Sequence, residues 1–203
     1  MNEEQNNTPA PLAAPAEKKE SFFKEVLKFT LIALLVVVPV RLYVAQPFIV
    51  NGASMDPTFE TGNYLIIDEL SYRVEAPKRG DVIVLNPPGE NGKFFIKRII
   101  GLPGETVSIH NFTVTIKNAE HPEGFSLHEP YVAEKNKGGR SELSVTLNPT
   151  EYFVMGDNRN ASFDSRDWGN LERNRIVGRA LLRLFPVPDI GAFPGHSPAD
   201  LPQ

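Results

Sequence analysis

One long apolar run sits near the start of the chain, and none comparable follows. Phe29 to Val40 is apolar except for Thr30 and Pro39. Extended from Val26 to Val44, it gives about 19 residues, roughly 28 Å as a helix and close to one hydrocarbon thickness. Lys28 and Arg41 bring charge into it only near its ends, where long stems can snorkel. The strict run is short for a span, so a buried core helix and a cleaved signal are the alternatives. A cut after Ala45 would require a small residue where Tyr43 stands. The reading is one retained transmembrane helix over residues 22–45. Lys18, Lys19, Lys24 and Lys28 precede it and Arg41 is the nearest basic residue after it, a bias that places the N-terminus inside. Residues 1–21 are polar and repetitive and read as a disordered tail.

Beyond the run the chain changes character. Pro47–Val50, Tyr64–Asp68, Asp81–Leu85, Phe94–Ile100, Tyr152–Met155 and Ile176–Phe185 are short apolar segments, and Val107–Ile116 contains alternating ones. Turn signals bound them: Asn51-Gly52, Gly62-Asn63, Arg79-Gly80, Pro87-Pro88-Gly89 and Pro103-Gly104. This is the punctuation of strands. The fold class is mainly β, a coiled-sheet or β-barrel-like domain over 46–185. An inserted loop or small subdomain is expected around 118–145, and a Pro-rich, irregular tail over 186–203.

Several chemistries drop out. There are no cysteines, which removes thiol nucleophiles, disulfides and Cys-ligated metal together. A formal charge of −4 argues against a nucleic-acid partner. Gly89-Glu90-Asn91-Gly92-Lys93 lacks phosphate-loop spacing and reads as a hairpin turn. His110, His121, His128 and His196 show no metal spacing and offer no convincing triad. No metal or organic cofactor is expected.

A serine can also be activated by lysine, provided the amine is neutral, and burial favours that form. Ser54 lies in a turn after the first strand. Lys97 lies in Phe94-Phe95-Ile96-Lys97-Arg98-Ile99-Ile100. Alternation puts Phe95, Lys97 and Ile99 on one face and Arg98 on the other, where Arg98 can point to water. An edge-strand lysine guarding against aggregation fits the periodicity as well.

Four strings alter that balance. Gly52-Ala53-Ser54-Met55-Asp56-Pro57-Thr58, Arg79-Gly80-Asp81-Val82-Ile83-Val84, Lys97-Arg98-Ile99-Ile100-Gly101-Leu102-Pro103-Gly104-Glu105 and Gly156-Asp157-Asn158-Arg159-Asn160-Ala161-Ser162-Phe163-Asp164-Ser165-Arg166 occur in this order after the apolar run. Together they resemble the motifs of type I signal peptidases, and the resemblance covers most of Phe22 to Phe185. It implies Ser54 as nucleophile and Lys97 as general base. It implies Ser162 as the hydroxyl that orients the lysine amine, and Asp164 and Arg166 as a structural ion pair with Asp157 nearby. Gly52 stands where some members carry a serine assisting the oxyanion hole, which leaves the second oxyanion donor open. Asn160-Ala161 replaces the Asp-Asn common in the last motif.

The resemblance further implies a serine endopeptidase on the outer face of the bacterial cytoplasmic membrane. It would cleave signal peptides from exported preproteins, in contact with membrane lipid and with the secretion translocon as a further partner. Phe48, Val50, Met55, Phe95 and Ile96 are expected to wall shallow apolar pockets for small substrate side chains. A self-cleaving Ser–Lys regulator would instead carry a DNA-binding domain. A catalytically silent membrane-anchored binding protein would lack Ser54, Lys97 or Ser162.

Overall fold

The structure, a computed structural model, describes residues 22–43, 45–90 and 92–196. The expected tail over 1–21 and the end of the C-terminal tail, 197–203, lie outside these. The chain divides into two compact units, Met1–Val38 and Pro39–Gln203.

Helix α1 (Phe22–Tyr43) contains the apolar run. From Phe22 to Val38 its side chains are exposed on every face. Lys24, Glu25 and Lys28 occupy its first two turns, and Pro39 and Arg41 its last. The strict apolar run between them is roughly 18 Å long as a helix, against about 30 Å of hydrocarbon. Among the described residues, no helix is long and apolar enough to cross a membrane. The span expected over 22–45 is in this respect not found.

Twelve strands follow among the described residues. Seven form a path of antiparallel neighbours in one sheet. In spatial order they are β1 (Ala45–Ile49), β2 (Tyr64–Asp68), β11 (Ile176–Phe185), β3 (Val82–Leu85), β4 (Phe95–Gly101), β9 (Glu151–Met155) and β10 (Leu171–Glu172). The short β12 (Gly191–Ala192) pairs with β11. Register shifts interrupt β11 against both β2 and β3, and β4 against β9. Such bulges add local twist and bend a sheet. A second, four-stranded sheet runs β7 (Phe125–Ser126), β6 (Thr113–Lys117), β5 (Thr106–His110), β8 (Glu142–Thr146). The segment expected as an insertion thus contains strands that pair with β6 and β5.

Both faces of the large sheet are covered. Val82 and Val84 point into a cluster with Leu65, Ile67 and the loop residues Val50, Met55 and Phe59. Ile83 and Leu85 point the other way, against Ile99, Val154, Leu171 and Ile176. All four residues of β3 are buried, and each such side chain contributes about 1.5–3 kcal/mol by leaving water. A third cluster joins Ile100, Phe153 and Met155 to Val107, Ile109, Val114 and Ile116 of the second sheet.

Double coverage corrects one expectation. Arg98 does not point to water but is 0% exposed. Its Nε and Nη2 donate to the two carboxylate oxygens of Asp157 at 2.8 and 2.6 Å, and its guanidinium lies 3.8 Å over the Tyr131 ring. The alternation placing Arg98 opposite Lys97 holds, but that opposite face is itself interior. Nor is the stretch after Phe185 wholly irregular. It turns back to form β12, and Phe193 N–H then donates to Leu181 O at 2.7 Å.

Candidate active site

The loop from Asn51 to Phe59 follows β1 and is held at both ends. Val50 N–H donates to Asn63 O, and Gly62 N–H to Val50 O, both at 2.9 Å. Met55 and Phe59 anchor the loop in the core, and Phe59 N–H donates to Met55 O. Gly52 has φ +100°, a backbone state that L side chains adopt only with strain. Its N–H donates to Thr61 Oγ1 at 3.0 Å. These constraints present Ser54 at the end of the large sheet.

Lys97 comes from β4. That strand pairs with β3 from Phe95 onward, whereas its pairing with β9 begins at Arg98. Along Phe95–Lys97 the second edge of β4 is therefore open among the described residues. Lys97 pairs across to Ile83 and shares its face with Phe95 and Ile99. It is 3% exposed, and its Nζ stands 2.8 Å from Ser54 Oγ and 2.9 Å from Ile96 O. Burial pulls its pKa down to about 8. Asp164 and Asp157 oppose that shift through space, and Arg166 adds to it. Desolvation outweighs both carboxylates because each already has its own cation.

Those two pairs are separate. Asp157 is bound by Arg98 and also accepts from Thr58 Oγ1 at 2.5 Å. Asp164 takes Arg166 Nε and Nη2, both at 2.8 Å, and Gly156 N–H at 3.0 Å. Burial alone would raise the Asp164 carboxyl, but Arg166 and the Gly156 N–H hold it below the ordinary carboxylate range. A third pair, the buried Arg159 with the half-buried Glu129, has no counterpart in the sequence reading.

Ser162 does not reach the Lys97 amine in this structure. Its Oγ is buried and makes no hydrogen bond to that amine; the hydroxyl instead helps to hold the Asp164 carboxyl low. The Lys97 amine is oriented here by the Ile96 carbonyl. Ser162 and Ser54 do meet at one residue the sequence reading missed. A Cβ at Gly156 would collide with Ser54 O and Ser162 Oγ, so only glycine lets the segments close up. The neighbouring Asn158 N–H then donates to Ser54 O at 3.0 Å. No local signal could expose this contact, because it joins segments about a hundred positions apart.

Ser54 and Lys97 open into a cleft of about 290 Å³. Phe48, Val50, Phe95 and Ile96 line it as expected, but Met55 does not. At 1% exposure Met55 is an anchor of the core beneath the loop. Leu65 and Val84 add to the floor, and Phe94, Ala161 and Phe163 to the walls. Phe94 packs edge-on against Phe48 and Phe163 against Phe95, with ring centres 5.5 and 6.5 Å apart. A buried amine against a hydroxyl, at the foot of an apolar cleft, can remove a proton from that hydroxyl and direct it at a bound carbonyl.

The family model described as signal peptidase, peptidase S26, matches residues 23–185. The chain is 37% identical over 181 residues to the probable signal peptidase I-1 of Synechocystis sp., covering 86% of this chain and 88% of that protein. It is 36% identical over 197 residues to the signal peptidase I T of Bacillus subtilis, covering 92% and 96%. A crystal structure of a signal peptidase I from Enterococcus faecalis is 32% identical, with a TM-score of 0.43 over 52% of this chain and 97% of that one. With the match extending from α1 through β11, the chain belongs to the signal peptidase family of serine peptidases, peptidase S26.

Proposed function

We propose that this chain is a membrane-bound endopeptidase that removes N-terminal signal peptides from exported preproteins through a Ser54–Lys97 dyad. One observation carries the reading: a lysine amine buried to 3% exposure stands 2.8 Å from a serine hydroxyl and has no carboxylate of its own. In the neutral state Lys97 Nζ takes the Ser54 proton as Oγ bonds to the scissile carbonyl carbon. The amine then gives that proton to the leaving nitrogen, and the C–N bond breaks. In the second half Lys97 deprotonates a water that attacks the acyl-Ser54 ester, and the proton returns to Oγ.

The Ser54 N–H makes no hydrogen bond with the described residues and supplies one oxyanion donor. Asp157 and Asp164, each neutralised by its arginine, frame the amine without protonating it. An extended substrate aligns between the outer edge of β1 and the open edge of β4 at Phe95–Lys97, presenting alternate side chains to the cleft. The shallow walls of Phe48, Val50, Phe95 and Ile96 admit alanine-sized groups before the cut.

Helix α1 anchors the enzyme in the bacterial cytoplasmic membrane, N-terminus inside and the β domain outside, its short apolar run being accommodated by its flanking residues and by local thinning of the bilayer. Support comes from a helix with no polar face between Phe29 and Val38 and from lysines clustered before it. Lipid, preprotein and the secretion translocon are its partners. The test is to incubate purified protein with a preprotein and weigh both products. A single cut following a small residue, with another two places upstream, supports the reading; cleavage elsewhere refutes it.

A further inference from the structure

The segment after β12 reaches the back of the catalytic loop. Phe193 is tied to β11 through its N–H and lies 5.0 Å beneath the Arg179 guanidinium. His196 Nδ1 stands 3.5 Å from Asp81 Oδ1. Between them Gly195, at φ +72°, sits so close to the Ser54 loop that a Cβ would meet Thr58 and Phe59. Its carbonyl accepts a hydrogen bond from Arg98 Nη1, which also donates to Gly80 O at 2.9 Å.

Arg98 is the link. It is wholly buried, so each N–H must find an acceptor inside the protein. Two donors go to Asp157 and two bonds to the Gly80 and Gly195 carbonyls. Asp157 in turn holds Thr58, four residues after the nucleophile, and the adjacent Asn158 N–H holds Ser54 O. We propose that Gly195 is a positioning residue of the active site: its carbonyl fixes Arg98, and through Asp157 and Thr58 it sets where the Ser54 loop stands against Lys97. On this account the last described residues of the chain belong to the catalytic unit, although they touch neither Ser54 nor Lys97. The inference rests on the Ser54–Lys97 reading.

The test uses full-length protein. Gly195→Ala inserts a Cβ against Thr58 and Phe59 and tilts the carbonyl away from Arg98, leaving a buried donor unsatisfied. Kcat is expected to fall about tenfold with KM within twofold. Gly191→Ala is the control, because a Cβ there meets nothing within 4 Å, and it should stay within twofold of the parent. Thr58→Val breaks the far end of the same path. Thr58→Val combined with a chain ending at Phe193, which adds no Cβ against Thr58, should lose little more than the worse of those two changes alone, whereas two independent defects would multiply.

If Gly195→Ala fails to fold, a chain ending at Phe193 removes the carbonyl without adding a Cβ and is held to the same outcomes. Parental kcat in the Gly195 variant, an equal loss in Gly191→Ala, or multiplicative losses in the combined variant would each overturn the proposal. Ser54→Ala is measured alongside: turnover there defeats the dyad reading, while Gly195 is judged on its own variants.

Discussion

Lys97 and Arg98 are neighbours on one strand, both buried, and the protein treats them in opposite ways. Arg98 receives a bidentate carboxylate, two carbonyls and an aromatic face. Lys97 receives a hydroxyl, one carbonyl and the edge of an apolar cleft. A guanidinium keeps its proton under any working condition, whereas an ammonium gives it up once solvation is withheld. The side of β4 with a counter-ion is therefore structural, and the side without one is chemical. Alternation along a single strand separates the two.

The largest effect should come from breaking the side without a counter-ion. Ser54→Ala and Lys97→Met are each expected to lower kcat by at least about 10⁴-fold, with the double variant little worse, since the two act as a unit. Lys97→Met should also stabilise the fold. Between pH 8 and the ordinary lysine value, the unfolded parent binds a proton that the folded amine has lost, so parental stability rises with pH across that window. At pH 7 the penalty is fully present, and Lys97→Met relieves roughly 3 kcal/mol of it. Denaturant titration at pH 7 and pH 10 measures the difference.

The paired side should respond with the opposite sign. Asp157→Asn leaves Arg98 buried without its counter-ion and should cost about 3–5 kcal/mol of stability. It also removes one of the two negative charges that hold the Lys97 proton on, so the acid limb of the rate profile should move to lower pH in whatever fraction folds. A smaller effect is expected at Gly52. Its φ of +100° assigns it to backbone geometry rather than to a missing hydroxyl donor. Gly52→Ala and Gly52→Ser should lose activity alike, by about 1–2 kcal/mol in kcat/KM. A gain confined to the serine variant would restore the missing-donor reading.

The contrast between Lys97 and Arg98 was only half legible in the sequence. Alternation shows that they face opposite ways, but it cannot show whether a face is covered, so by itself it leaves Arg98 free to point to water. Turn punctuation marks β2, β3 and β4 closely, because Gly, Pro and Asn act locally. β7 and β8 were hidden inside an apparent insertion, since their partners β6 and β5 supply the order that composition lacks. Met55 adjoins Ser54 in sequence, which suggests a cleft wall, yet the loop turns it into the core. Gly195 was lost in a Pro-rich tail whose role depends on a residue 97 positions away. Arg98, β8 and Gly195 depend on contacts at long sequence range, which local patterning does not carry.

The most direct test of a neutral lysine base is the pH dependence of kcat/KM on a soluble peptide substrate. The free enzyme's rising limb reports the essential base, and burial sets that base at about 8. Activity should therefore rise about tenfold per pH unit up to a bend near pH 8 and hold in mildly alkaline buffer. A profile that is flat through this range, or that climbs as pH falls below neutrality, would contradict Lys97 as the base.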